Sequence, residues 1–269
     1  MSVITFWGNG KIETAQTTSM AGIATYLSLE KNYRTLLINT KYNDTSLEEC
    51  FWEQSRFMKV KSDLETGVGG LMKAISSNKA SPEIITNYTR TIFKERLEVL
   101  TDNNIPKEDY EKQKAAMKTI IKMASKFYDL VFVDIEGDLE DPAIQGVLQE
   151  SNLIRANTSQ RMKYIREFLD LKKTHDIINN NNVIFLIGKY DKFSKYNVKN
   201  LQRTERLGEV YGIPYNTLFF ESCNEGNLAD FVINYRRVKQ TSIQAPIIES
   251  ISAVSQRIID KLKELQMQV

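Results

Sequence analysis

The chain has 269 residues, 42% apolar and 26% charged, with 36 Lys and Arg against 34 Asp and Glu. These are the proportions of a soluble globular protein, and the near balance of charge excludes a polyelectrolyte that would hold nucleic acid through net charge alone. Cys50 and Cys223, far apart and without a CxxC, suggest neither a disulfide framework nor a zinc site and read as buried or idle thiols in a reducing cytosol.

In chain order, the opening Val3 to Trp7 is a short continuous apolar run, the pattern of a parallel strand covered on both faces. It lacks the charged and long apolar regions of a secretory signal, and no apolar run approaches the ~20 residues that a membrane span requires, so a cytoplasmic location is expected. Thr18 to Leu29 reads as a helix, Thr35 to Asn39 as a strand, and Gly69 to Ser77 and Glu83 to Phe93 as helices. Ser81-Pro82-Glu83 supplies an N-cap with proline at the first helical position. A weaker strand is expected at Leu97 to Leu100, then a helix from Tyr110 to Lys126 and a strand from Leu130 to Asp134. Leu153-Ile154 could add a strand, Arg161 to Asp176 reads as a helix and Val183 to Ile187 as a strand. Val198 to Tyr211 reads as a helix, and Leu218 to Phe220 as a further candidate strand.

Strand and helix alternate from end to end, which predicts an α/β fold: a doubly wound, mainly parallel sheet flanked by helices, in a single domain over 1–269. The last helix, from about Ile247, sets Ile251, Val254, Ile258, Leu262 and Leu265 on one face. Its polar face mixes Arg257, Lys261 and Lys263 with Asp260 and Glu264, which favours packing on the sheet over lying on a membrane surface.

In such a sheet ligands bind beyond the carboxyl ends of the strands. The first strand leads into Gly8-Asn9-Gly10-Lys11-Ile12-Glu13-Thr14-Ala15-Gln16-Thr17-Thr18, a loop with glycine at its start and hydroxyls at a helix amino end. Free N–H groups and the helix dipole there favour an anion such as phosphate. A Walker A loop ends in Gly-Lys-Ser/Thr, with lysine for the β/γ-phosphates and the hydroxyl for magnesium. Here those positions are Ala15-Gln16-Thr17, and an ordinary βα loop capped by threonines is the alternative reading.

Set beside the rest of the chain, this loop resembles that of the ParA/MinD family of deviant Walker A P-loop ATPases, most closely the TadZ/CpaE-type localisation proteins of pilus-assembly systems. The family loop Lys-Gly-Gly-x-Gly-Lys-Thr-Thr matches Lys11 to Thr18 in length, with Ile12, Glu13 and Ala15 in place of the glycines. The resemblance implies that Lys11 is the signature lysine reaching across a nucleotide-sandwich homodimer, that Thr14, Ala15, Gln16, Thr17 and Thr18 line the phosphates, and that Thr17 binds magnesium. It puts Gln16 where the phosphate lysine stands. Asn39, at the end of the second strand, takes the place of a catalytic aspartate that positions the attacking water, and Asp44 is a nearby substitute.

Tyr128 to Asp138 resembles the family's Tyr-Asp, apolar strand, aspartate and glycine-bearing switch. Asp134 would be the Walker B carboxylate of the magnesium shell and Gly137 the sensor of the γ-phosphate. A strand end followed by a solvated acidic loop is the alternative. Gly67-Val68-Gly69-Gly70-Leu71, Arg96 to Leu100, Ile187-Gly188-Lys189-Tyr190-Asp191 and Ile213-Pro214-Tyr215-Asn216 extend the resemblance over most of the chain, with Gly188-Lys189 at the place where relatives read adenine.

The resemblance therefore implies ATP and Mg2+ as ligands and a nucleotide-dependent localisation or assembly factor for a pilus or secretion apparatus, cytoplasmic and open to recruitment to a membrane-bound assembly. Loss of the phosphate lysine and of the aspartate implies weak or absent hydrolysis. The alternatives are a pseudo-ATPase scaffold without nucleotide, and a ParA-like partition protein holding DNA through Lys189 to Arg206. That stretch has six basic residues against Asp191 and Glu205, and Lys199, Arg203 and Arg206 share a helical face. His175 reads as the polar end of a helix, and Trp7 and Trp52 as packing residues.

Overall fold

A computed structural model describes residues 1–8, 14–53, 67–77, 81–101, 106–179 and 182–267. The strands are β1 (Ser2–Gly8), β2 (Thr35–Asn39), β3 (Arg90–Phe93), β4 (Leu97–Leu100), β5 (Leu130–Glu136), β6 (Leu153–Thr158), β7 (Val183–Tyr190) and β8 (Val210–Pro214). They form one eight-stranded sheet in the order β3-β4-β2-β5-β1-β6-β7-β8. Every pairing is parallel except β3 with β4. β1 lies near the centre, and its carboxyl end opens between β5 and β6.

The helices are α1 (Gln16–Glu30), α2 (Ser46–Glu49), α3 (Gly67–Ser76), α4 (Lys107–Ala124), α5 (Pro142–Gln149), α6 (Met162–Thr174), α7 (Val198–Thr204), α8 (Thr217–Asn224), α9 (Leu228–Tyr235) and α10 (Ala245–Gln266). Alternation of side chains along each strand feeds two separate cores. Trp7, Leu36, Ile38, Val131 and Val133 face α3 to α7, while Ile4, Phe6, Leu37, Leu130 and Phe132 face α1, α2 and α8 to α10. α1 lies between sheet and α10 and is buried at 11 of its 15 residues, including serines and threonines, so it needs no single apolar stripe. Its Thr25 and Ser28 hydroxyls turn back to the Ala21 and Thr25 carbonyls. In α10, Ile251, Val254, Ile258 and Leu262 are buried against α1 and the sheet, with Leu265 half-buried. The apolar face of this helix is covered by protein. Among the described residues no helix is long and apolar enough to cross a membrane.

Three sequence expectations are corrected. The stretch read as a helix over Glu83 to Phe93 is a short 3-10 turn, Pro82–Asn87, followed by the edge strand β3. The helix expected to run to Tyr211 stops at Thr204, because Arg206 takes a left-handed φ of 51°, and Val210–Pro214 then pairs with β7. Leu218 to Phe220 lies in α8, started by Asn216, whose side chain accepts from the Phe219 N–H at 3.0 Å.

At the end of the sheet away from β1's opening, Glu98 is buried and accepts from the Tyr128 hydroxyl, from Thr89 Oγ1 at 2.9 Å and from Arg34 at 3.2 Å. Asp129 accepts from the Arg34 N–H at 2.8 Å. The Tyr-Asp pair before β5 thus anchors β2, β4 and β5 to one another. Cys50 and Cys223 meet in the α1-side core, where the Cys223 thiol and burial push the Cys50 thiol well up.

Candidate functional site

β1, β2 and β5 run parallel with Phe6 and Asn39 both paired to Asp134, so the ends of three buried strands deliver their side chains to one point under the amino end of α1. Asp134 is fully buried there. Burial of a carboxylate demands partners, and Asp134 has three: Gln16 Nε2 at 2.6 Å on Oδ1, Thr17 Oγ1 at 2.5 Å on Oδ2, and Lys41 Nζ at 3.1 Å on Oδ2.

Gln16 stands where the resemblance puts a phosphate lysine, and it is directed into the sheet. Its Nε2 lies 3.0 Å from both the Phe6 and the Ile135 carbonyl oxygens as well as close to Asp134. An amide nitrogen has two hydrogens, and three acceptors already share them, so no donor of this group is left for a ligand.

Lys41 was not singled out in the sequence. Its ammonium sits 2.7 Å from Thr17 Oγ1 and 3.1 Å from Asp134 Oδ2, with Asp44 at 3.7 Å and Glu136 at 3.9 Å. Burial alone would push this ammonium down, but the carboxylates of Asp134, Asp44 and Glu136 outweigh it and hold it above its ordinary range. Lys41 is therefore a permanent positive charge. The signal that could have found it is its place two residues past the end of a central strand, beside the strand that ends in Asp134.

The remaining residues divide between the site and its frame. Asn39 braces the turn after β2, its Nδ2 donating to the Asp44 carbonyl at 2.8 Å and its Oδ1 accepting from the Lys41 N–H at 3.1 Å. Asp44 Oδ1 accepts from the Ser46 N–H at 2.9 Å and starts α2. Gly137, at φ 147°, donates its N–H to the Gly8 carbonyl and accepts from the Trp7 indole, each at 3.0 Å. Thr14 and Thr17 are buried, while Thr18 donates to the Ala15 carbonyl at 3.2 Å. Ala15 caps α1 in a left-handed conformation, φ 54°, at a position where the family loop has glycine. Lys11 lies outside the described residues. The acidic loop splits, with Glu136, Asp138 and Glu140 exposed and Asp134 enclosed.

Thr17 and Asp134 offer the hard oxygen ligands that Mg2+ prefers. Mg2+ nevertheless does not fit the arrangement, because the Lys41 ammonium already bridges those two side chains. Among the described residues no cluster of three or more His, Cys, Asp and Glu side chains could hold a metal ion.

Beside the amino end of α1 is a shallow cleft, open to solvent and lined by Ala15, Thr18, Ser19, Pro214, Tyr215 and Phe219. Other singled-out groups lie elsewhere. His175 ends α6 with Nε2 3.6 Å from Glu140, Trp7 packs on Phe168, and Trp52 carries the Arg90 guanidinium 3.9 Å over its ring.

No protein-family model matches the chain, and no curated protein sequence matches it. Solved structures do. A ParA family ATPase from Chlorobium tepidum TLS superposes with a TM-score of 0.70 at 14% identity, covering 95% of this chain and 98% of that one. The septum site-determining protein MinD complexed with Mg-ADP, from Pyrococcus horikoshii OT3, gives 0.66 at 16% identity, covering 96% of each. A putative plasmid partition protein from Borrelia burgdorferi B31 bound to AMPPNP gives 0.60 at 14% identity, covering 100% and 99%. The chain has the fold of the ParA/MinD ATPases.

Proposed function

We propose that the protein is a ParA/MinD-fold localisation or assembly factor that binds a nucleotide and does not hydrolyse it. The observation that carries this reading is the commitment of Gln16 to the Phe6 and Ile135 carbonyls and to Asp134. Phosphoryl transfer is driven largely by cations placed where charge develops, and losing one such contact costs several kcal/mol of the barrier. Asn39, with its amide spent on a turn, supplies no general base.

Two features support the nucleotide half. The cleft adjoins the amino end of α1, so a base stacked on the exposed Tyr215 ring would direct its phosphates to the helix dipole. The fold neighbours include proteins solved with Mg-ADP and with AMPPNP. The homodimer and the pilus or secretion role rest on the sequence resemblance, with Lys11 as the residue that would cross to the second copy. DNA binding is the weaker reading, because α7 ends at Thr204 and Arg206 is not on the helical face with Lys199 and Arg203.

Calorimetric titration of ADP and ATP, paired with an assay of released phosphate, tests the proposal. Saturable binding with phosphate release at the buffer background is the expected result. Absence of binding of either nucleotide would make the fold a scaffold, and turnover at a rate usual for enzymes would restore the ATPase.

A further inference from the structure

We propose that Lys41 is the resident cation of this site, and that the phosphates of a nucleotide are taken here without a divalent metal. The inference rests on the nucleotide reading above and concerns what neutralises the ligand.

The argument begins with place. In a site built for Mg2+, the helix hydroxyl and the strand-end carboxylate converge on the ion. Here the same two groups, Thr17 Oγ1 and Asp134 Oδ2, converge on Lys41 Nζ at 2.7 and 3.1 Å. Thr17 donates its hydrogen to Asp134 and accepts one from Lys41, so its oxygen is engaged in both senses. A divalent ion inserted between them would take those lone pairs and expel an ammonium into the company of another cation.

The second step concerns how firmly Lys41 is placed. Its side chain is only 13% exposed, and its N–H is held by Asn39 Oδ1. Asn39 in turn holds the Asp44 carbonyl, and Asp44 caps Ser46, so the strand end, turn and α2 form one braced unit under the ammonium. The Thr40 N–H and hydroxyl both donate to the Asp134 carbonyl, at 3.1 and 2.9 Å, and tie that unit to β5. The Lys41 N–H is held by the Asn39 side chain, and its ammonium is held by the Thr17 hydroxyl as well as by a carboxylate.

The third step is charge. Asp134, Asp44 and Glu136 face the ammonium from β5 and from the turn after β2. Without a cation they would repel a phosphate approaching the end of α1. Lys41 supplies that cation from within the chain. Two of its three N–H donors go to Thr17 and Asp134, and the third, which Asp44 and Glu136 approach only to 3.7 and 3.9 Å, is the one a phosphate oxygen would take. Gln16, the neutral neighbour, makes no claim on the same space.

The experiment titrates ADP into the wild-type protein in EDTA and again in Mg2+, and separately follows Mn2+ alone by electron paramagnetic resonance. The expected result is equal ADP affinity in both buffers, with Mn2+ left free by the wild type. Lys41→Asp should take up Mn2+ and make ADP binding metal-dependent by about tenfold or more, the scale of coupling between two linked ligands. The proposal would be overturned by ADP binding to the wild type only in Mg2+, which would leave the nucleotide reading intact. Uptake of Mn2+ by the wild type as strong as by Lys41→Asp would also overturn it. Absence of ADP binding in both buffers would instead sink the nucleotide reading, and the Mn2+ arm would still decide whether Lys41 holds the metal's place. Both wild-type arms stand even where a variant fails to fold.

Discussion

Gly188, in β7, lies so close under the carbonyl of Thr14 that a Cβ built on it would stand 1.8 Å from that oxygen and 2.7 Å from its carbon. The neighbour is main chain and cannot swing aside. Gly188→Ala should therefore push the loop before α1 off the sheet, at about 3 kcal/mol or more, the upper range for overpacking. Urea unfolding measures the loss, and a variant as stable as the wild type would contradict the contact. Gly188-Lys189 stands at the place where relatives of the resembled family read adenine, and the glycine has this steric reason of its own.

Ala15 takes a left-handed backbone, φ 54° and ψ 33°, immediately before α1. An L-residue there bears roughly 1–2 kcal/mol of strain that glycine escapes, partly offset by the roughly 0.4–1 kcal/mol that glycine loses through its freer unfolded chain. Ala15→Gly should stabilise the fold by about 0.5–1 kcal/mol. A lower denaturation midpoint in the variant would count against the strain.

Restoring the phosphate lysine should fail to restore hydrolysis. In Gln16→Lys, the hydrogen bonds to the Phe6 and Ile135 carbonyls are given up in part, and a second ammonium is placed beside Asp134, where Lys41 already stands. Unsatisfied buried acceptors cost about 1–3 kcal/mol, so the variant should be less stable as well as inactive. Phosphate release by Gln16→Lys alone, measured with Mg2+ and ATP, would show that Lys41 does not obstruct the site.

Glu209 receives the Arg257 guanidinium through Nε at 2.7 Å and through Nη2, which joins α10 to the chain just before β8. The Arg257 hydrogen bond holds the Glu209 carboxyl below its usual range, outweighing burial. A lowered folded value means that this contribution to stability is complete above the ordinary glutamate pKa, about 4.3. It is then lost as pH falls through the folded value. Arg257→Met should flatten the part of the acid limb that Glu209 supplies, seen as a smaller drop in denaturation midpoint between neutral and acid buffer. An unchanged acid limb would remove Glu209 from the account.

The parts of the fold legible in the sequence are those buried on both faces. β1, β2, β5 and β7 are continuous apolar runs because helices cover them above and below. β3 and β8 are the two outer strands, short and mixed in polarity, so helical periodicity in their neighbourhood competed with the strand signal. In the site, the meeting of Thr17 and Asp134 was legible because hydroxyl and carboxylate occupy fixed places relative to a helix and a strand. Lys41 was not. Its meaning depends on β2 lying beside β5, a neighbour relation between residues 93 apart in sequence that no local pattern carries.

Trp7 couples the loop after β5 to the centre of the sheet, since its buried indole donates to the Gly137 carbonyl while the Gly137 N–H holds Gly8. The chain has only two tryptophans, and the other, Trp52, lies under Arg90 away from this junction. Emission from Trp7 is thus a built-in optical gauge of whether the two loops stay latched. With Trp52→Phe to silence the second fluorophore, a ligand that unlatches Gly137 would be seen as a red shift without any label attached.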